Sequence, residues 1–216
     1  MFSLGTYVPT PFKVKTEEDL CSLLELQDKM TRVESIIGAR FQKIAPGIFE
    51  KSVKKMQSAA VPGFASKQYG DKSNTTYASN ITATWNEFFN SAHLDHDVSS
   101  MSYGGWCTIN QMTGEPARFE DGIDLQYGQF FYPGISTMVD FGAVNGWTDM
   151  LWSSTLLYHQ TVKTERPKGS CFTRFYFSVQ INTSLFSRCQ DALKNPCHIG
   201  EFSDRVHTIK ERITSV

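Results

Sequence analysis

Residues 84–97 read Thr84-Trp85-Asn86-Glu87-Phe88-Phe89-Asn90-Ser91-Ala92-His93-Leu94-Asp95-His96-Asp97. The first half is aromatic and β-branched, the composition that suits a pleated, half-buried strand. The second half sets two imidazoles and two carboxylates within the five residues His93 to Asp97. If the strand continues, side chains alternate, so His93, Asp95 and Asp97 share one face while Leu94 and His96 point the other way. An imidazole and a carboxylate on one strand, completed by a distant second histidine, form the facial triad of non-haem iron(II) oxygenases. That triad leaves coordination positions open. An H-x-D pair alone is a weak signal, so the reading turns on the rest of the chain.

Of the remaining histidines, His198 and His207 fall in a helical tail. His159 follows Trp152-Ser153-Ser154-Thr155-Leu156-Leu157-Tyr158 inside a β-rich body and is the better third ligand. Fifteen residues on, Arg174 opens Arg174-Phe175-Tyr176-Phe177-Ser178-Val179-Gln180, where alternation sets Arg174, Tyr176, Ser178 and Gln180 on one side. A guanidinium buried without an anion is costly, and its fork of donors matches a carboxylate bidentately. The distal carboxylate of 2-oxoglutarate would serve.

Outward from this centre, Tyr103 to Ile109, Ile123 to Tyr132, Thr137 to Phe141, Thr148 to Trp152 and Cys171 to Asn182 read as strands. Turn signals separate them: Thr113-Gly114-Glu115-Pro116, Asp121-Gly122, Pro133-Gly134 and Asn145-Gly146. The aromatics Trp85, Phe88, Phe89, Tyr103, Trp106, Phe130, Phe131 and Tyr132 are expected in the core. Ahead of this body, Thr16 with Glu17, Glu18 and Asp19 offers a capped helix start, and Leu20, Leu23, Leu24, Met30, Val33, Ile36 and Ile37 recur near helical spacing. A second helix is expected over Ile48 to Ala60, stopping before Val61-Pro62-Gly63, then a polar loop over 64–76. The expected organisation is one domain over 1–216, α+β and mainly β: helices to residue 63, a β-rich catalytic core over 77–182, and a helical tail over 187–216.

Composition excludes several classes. The 216 residues are 40% hydrophobic and 13% aromatic, an ordinary globular composition. Five cysteines, Cys21, Cys107, Cys171, Cys189 and Cys197, are widely spaced and never form C-x-x-C, which argues against a disulfide framework or zinc ribbon. No run of eighteen apolar residues and no signal-peptide pattern is present, so an intracellular protein is expected. With 21 Lys+Arg against 22 Asp+Glu the net charge is −1, and the basic footprint of a nucleic-acid binder is missing. The run Lys51 to Lys55 reads as a solvated helix face.

Taken together, Thr84 to Asn90 running into His93-Leu94-Asp95-His96-Asp97, then Gly134 to Phe141, Trp152 to His159-Gln160-Thr161, and Thr173-Arg174 to Ser178-Val179-Gln180-Ile181-Asn182 resemble the fungal Tet-like 2-oxoglutarate and iron(II)-dependent oxygenases, related to the wider TET/JBP group. The resemblance spans roughly residues 77–182. It implies a double-stranded β-helix (jelly roll), Fe(II) on His93, Asp95 and His159, and 2-oxoglutarate on Arg174 with Ser178 as a second contact. With O₂ as the third reactant, it also implies succinate and CO₂ as co-products of C–H oxidation. Phe175, Tyr176 and Phe177 are bulkier than the small residues expected there in relatives, which points to a tighter co-substrate pocket. Asn86, Tyr103 and Asp97, neighbours of the metal segment in sequence, are the substrate-contact candidates.

Competing readings fit less well. An HD-type hydrolase needs a mostly helical body, and a metallo-β-lactamase needs a histidine where Ser91 stands. The bland alternatives are a satisfied core histidine at 159 and an internal partner for Arg174 at Asp140 or Asp149. For substrate, the resemblance implies the methyl group of 5-methylcytosine in DNA or RNA, flipped into the pocket, with a nuclear location. The neutral charge balance favours a protein side chain or small metabolite instead, in the cytoplasm. A non-catalytic binding module is the third reading, opposed by the full set of candidate ligands.

Overall fold

A computed structural model of the chain describes residues 2–5, 16–66 and 76–194. In chain order its elements are β1 (Phe2–Gly5), α1 (Glu17–Ile44), α2 (Pro46–Ser58), β2 (Asn80–Asn86), β3 (Ser102–Asn110), β4 (Gln126–Tyr127), β5 (Phe130–Tyr132), β6 (Thr137–Val139), β7 (Thr148–Trp152), β8 (Gln160–Thr161), β9 (Thr164–Glu165), β10 (Phe172–Gln180) and α3 (Thr183–Lys194). The chain divides into two compact units, residues 1–2 with 82–179, and residues 3–81 with 180–216.

In the helical unit, α1 begins where its cap predicts. Thr16 Oγ1 accepts from the Asp19 amide at 3.1 Å, and Asp19 returns a bond to the Thr16 amide at 3.0 Å. Met30, Ile37 and Phe41 form its buried stripe, whereas Ile36 is exposed. α2 starts two residues earlier than expected because Pro46 occupies its first turn, where a missing N–H costs nothing. Phe41, Phe49, Phe64 and Tyr77 pack as a mainly edge-to-face aromatic cluster, and the Tyr77 hydroxyl donates to the Glu34 carbonyl at 2.8 Å. Phe64 to Ser66 are buried rather than part of a polar loop; residues 67–75 lie outside the described set. α3 begins four residues before Ser187, since Asn182 Oδ1 caps it by accepting from the Leu185 amide at 3.0 Å. The remainder of the expected tail, and Cys197, lie outside the described residues.

The β-rich unit carries the rest of the core. A five-stranded sheet has the order β1-β2-β10-β3-β7, a three-stranded sheet the order β6-β5-β8, and β4 pairs with β9. β10, β3 and β7 are antiparallel, with Tyr176 opposite Trp106, Arg174 opposite Thr108, and Ser102 opposite Trp152. Alternation then puts Trp106, Thr108, Arg174, Tyr176 and Trp152 on one face of this sheet. Trp106, Phe130, Tyr132, Phe141, Trp152 and Tyr176 make a single buried cluster there. Trp106 is its hub: it stacks on Phe141 at 4.6 Å and meets Phe130, Trp152 and Tyr176 edge-on.

Of the eight aromatics expected in the core, Tyr103, Trp106, Phe130 and Tyr132 are buried, Phe88 and Phe131 are half-buried, and two lie outside it. Trp85 and Phe89 are 43% and 58% exposed. β2 stops at Asn86, whose φ of 61° turns the chain, so the side chains after it no longer alternate against the sheet. The four described cysteines are free, and burial alone pushes the Cys107 thiol up to about 11. Among the described residues no helix is long and apolar enough to cross a membrane.

Candidate metal centre and anion pocket

Residues 90–93 run antiparallel to 159–161, beside β8 of the three-stranded sheet. His93 and His159 form a direct bridge, each amide donating to the other's carbonyl at 3.0 Å. A directly opposed cross-strand pair places both side chains on one face within about 5.5 Å at Cβ. The two rings accordingly lie 4.5 Å apart between centroids. The Asp95 amide donates to the Ser154 carbonyl at 2.9 Å, which fixes the carboxylate between them.

His93 Nε2 lies 3.4 Å from Asp95 Oδ1, and His159 Nε2 lies 3.7 Å from Asp95 Oδ2. The three ligand atoms all fall within 4.8 Å of one another. Two cis ligands each about 2.1 Å from one ion stand about 3.0 Å apart; the two histidine–carboxylate separations, 3.4 and 3.7 Å, lie slightly above that spacing. Each histidine spends Nδ1 on a backbone carbonyl two residues earlier, Ser91 at 2.9 Å and Leu157 at 3.0 Å. Donation from Nδ1 leaves Nε2 as the lone pair facing the cluster. Burial holds His159 below the ordinary imidazole range and His93 pushes the same way, against the Leu157 hydrogen bond and the Asp95 charge. His159 is walled by Phe130, stacked at 5.4 Å, and by the edge of Trp152 at 6.3 Å. With His159 side chain 4% exposed against 38% for His93, the centre opens on the His93 side.

Arg174 is 4% exposed and makes no ion pair among the described residues. Both internal partners considered for it are engaged elsewhere. Asp140 Oδ1 accepts from the Gly142 amide at 2.9 Å, and Asp149 Oδ1 takes Tyr103 Oη at 2.5 Å and Trp147 Nε1 at 2.9 Å. Arg174 Nε and Thr164 Oγ1 are both buried with no hydrogen bond. They converge on one place: a Cβ on Gly128 would lie 2.6 Å from Arg174 Nε and 2.4 Å from Thr164 Oγ1, and one on Gly142 would lie 3.3 Å from Arg174 Nη2. Gly128 lets the guanidinium lie against bare backbone, whereas beside Gly142 the Asp140 carboxylate oxygen also lies 3.1 Å from the same Cβ position, without forming an ion pair with Arg174. The Tyr176 phenol donates to the Gly128 carbonyl at 3.2 Å, and burial lifts it to about 12 despite the Arg174 charge; Thr164 approaches it without completing a bond of good geometry. A buried cation beside an orphaned hydroxyl is the donor set a carboxylate would satisfy. Gly128 is only two residues from Phe130, which stacks on His159, so the pocket adjoins the metal cluster along one short segment.

The structure therefore brings His93, Asp95 and His159 together and sets Arg174 in the same unit. Ser178 shares the Arg174 face but sits opposite Gly104, four residues and about 13 Å further along β10. Thr164 and Gly128, which sequence reasoning missed, are the residues that converge on Arg174 Nε; a glycine between Tyr127 and Gln129 was the one available signal. Tyr103 is fully buried on the opposite face of β3 from Trp106, against Phe177 and Asp149. Asn86 accepts from Gln111 Nε2 at 2.7 Å in an exposed network with Arg166 and is not one of the three clustered ligands. Asp97 is half-buried and outside the three-ligand group.

A two-histidine, one-carboxylate cluster on an antiparallel β scaffold defines the class of mononuclear non-haem metal centres. The family model of the Tet-like 2OG-Fe(II) oxygenase superfamily matches residues 3–164, three quarters of the chain, and the chain belongs to that superfamily. The match ends ahead of Arg174, so the anion pocket stands on geometry alone. No curated protein matches the chain.

Proposed function

We propose that this protein is an Fe(II)- and 2-oxoglutarate-dependent dioxygenase that oxidises a C–H bond of a second substrate, built on a double-stranded β-helix formed by the five- and three-stranded sheets. The observation that carries the reading is the convergence of two Nε2 atoms and one carboxylate, each histidine preset by its Nδ1 bond. His93, Asp95 and His159 would hold the iron, and Arg174 with Thr164 would hold the distal carboxylate of 2-oxoglutarate. Bound together, the iron and 2-oxoglutarate supply the oxidising power that O₂ alone lacks at an unactivated C–H.

The chain's own residues do the rest. Asp95 presents an anionic oxygen to each histidine and so favours a dication. Phe130 and Trp152 fix the His159 ring and keep water from its buried side. Arg174 orients the co-substrate from the far end, so its reactive end meets the metal in one pose. Substrate enters on the exposed His93 side.

We assign the methyl group of 5-methylcytosine as the substrate to test first, because the superfamily is Tet-like. The net charge of −1 favours the second reading, a protein side chain or metabolite that needs no phosphate contacts. Anaerobic titration with Fe(II) and 2-oxoglutarate should raise the weak visible charge-transfer band of the chelate, lost in His159→Ala and needing far more 2-oxoglutarate in Arg174→Ala. Succinate release over the uncoupled background with a methylated oligonucleotide would establish the nucleobase. Release with neither oligonucleotide nor peptide, together with no band, would leave the fold without the enzyme.

A further inference from the structure

We infer that Asn90 is the positioning residue that sets the register of the metal ligands, an inference that rests on the metal-centre reading above. Two pairings bracket the ligand segment. At His93 and His159 both backbone bonds are regular, 3.0 Å each way. At Asn90 and Thr161 only one is: the Asn90 amide donates to the Thr161 carbonyl at 3.3 Å, while the Thr161 amide donates to Asn90 Oδ1, at 2.6 Å, where a regular ladder would use the Asn90 main-chain carbonyl.

Three residue steps separate 90 from 93, and two separate 159 from 161. The ligand strand carries one residue more than its partner, the condition of a β-bulge. A one-residue slip moves every following side chain to the other face. The asparagine side chain absorbs that extra residue by supplying an acceptor from a position its own carbonyl cannot reach. His93 then emerges on the His159 face instead of the opposite one. The offset has a second effect. The Ser91 carbonyl takes no ladder bond among the described backbone hydrogen bonds, and it is the acceptor that orients His93 through Nδ1 at 2.9 Å. One side chain thus governs both which face His93 occupies and which of its nitrogens is presented. Asn90 touches no ligand atom and works through His93.

The test is Mn(II) binding, as an oxygen-inert stand-in for Fe(II), measured by calorimetry on the full chain together with apo thermal unfolding. Loss of a partner that orients a metal ligand lowers affinity by about 10- to 100-fold. Asn90→Ala is expected to show that loss, and Asn90→Asp, which keeps the Oδ1 acceptor, is expected to return within about threefold of the parent. Ser170→Ala, which removes a bond of 2.6 Å to Asp124 and an acceptor for the Phe172 amide at 3.1 Å, serves as the control for generic loosening and should leave Mn(II) affinity unchanged. Parent-like Mn(II) affinity in Asn90→Ala would overturn the inference, as would failure of Asn90→Asp to restore it. If Asn90→Ala does not fold, Asn90→Ser is judged by the same affinities. A parent that binds no Mn(II) would remove the centre itself and this role with it, an outcome distinct from equal binding by parent and variant.

Discussion

Gly128→Ala separates the anion pocket from the metal cluster. The added methyl would sit 2.4 Å from Thr164 Oγ1 and 2.6 Å from Arg174 Nε, at a backbone φ of 81°. A side chain in the left-handed region costs about 1–2 kcal/mol, and overpacking a buried site costs about 1–3 kcal/mol more. A total near 3 kcal/mol lowers the unfolding midpoint by roughly 6–12 °C in a chain of this size. The functional consequence is larger than the stability change implies. The guanidinium must retreat from the methyl, and a misplacement of about 1 Å in a positioning group costs on the order of 100-fold. Calorimetry with Mn(II) and then 2-oxoglutarate should show at least tenfold weaker 2-oxoglutarate binding with Mn(II) affinity held within twofold. Gly134→Ala is the control, because nothing lies within 4 Å of its Cβ and its φ is ordinary. If Gly128→Ala loses stability as calculated yet binds 2-oxoglutarate as the parent does, Arg174 is not the carboxylate anchor.

Arg174→Met should abolish 2-oxoglutarate binding while leaving the apo protein as stable or about 1–3 kcal/mol more stable, since an unpaired buried cation is replaced by a side chain of similar volume; thermal unfolding without ligands checks the sign. For His159 the folded-state pKa is lowered by burial, so its contribution is fully present above about pH 6.5 and is lost as pH falls, because the unfolded chain takes up the proton first. Apo midpoints measured from pH 7.5 to 5 should therefore fall more steeply in the parent than in His159→Gln, by at most about 1.4 kcal/mol per pH unit, and parallel slopes would contradict the burial account. Iodoacetamide at pH 8 should label the exposed Cys21 in the native protein and spare Cys107, whose thiol stays protonated to about 11, until denaturant is added.

How much of this was legible in sequence depended on whether the cause was local. The Thr16 capping box, the Pro46 helix start and the strand of Arg174 follow from short-range rules, and the sequence signal matched the structure within a few residues. The triad was legible because residue type is itself informative there: H-x-D needs one more histidine, and His159 stood alone in the β-rich body. Thr164 was not legible, since a threonine in Val162-Lys163-Thr164-Glu165 differs in no way from a strand threonine until Gly128 and Arg174 close around it. The burial of Tyr103 on the far face of β3 was not legible for a related reason. Nearness in sequence to the metal segment carries no information about which face of β3 a side chain takes, and the odd positions Tyr103, Gly105 and Cys107 turn away from Trp106. Trp85 and Phe89 were assigned to the core on propensity, but Trp85 lies on the exposed end of β2 and Phe89 follows the left-handed turn at Asn86.

The two ends of the site are built on opposite principles, and the difference bears on function. At the metal end the histidines are oriented before any ligand arrives: both Nδ1 atoms are bonded, the backbone bridge is reciprocal, and Phe130 and Trp152 immobilise the deeper ring. Such preorganisation means a cation pays little to order its ligands. At the Arg174 end the donors are buried and unmatched, so stability is withheld until an anion supplies it. An order of binding follows from that asymmetry. If the proposed function holds, the metal would load onto a finished site, whereas the co-substrate would bring the missing acceptor for Arg174 and its affinity would carry the relief of that unpaired charge. A dicarboxylate reaching both ends satisfies this demand; a monocarboxylate bound at the metal alone leaves the guanidinium as it was. On the proposed reading, discrimination between the two would be set by Arg174, Thr164 and the bare backbone at Gly128, not by the triad.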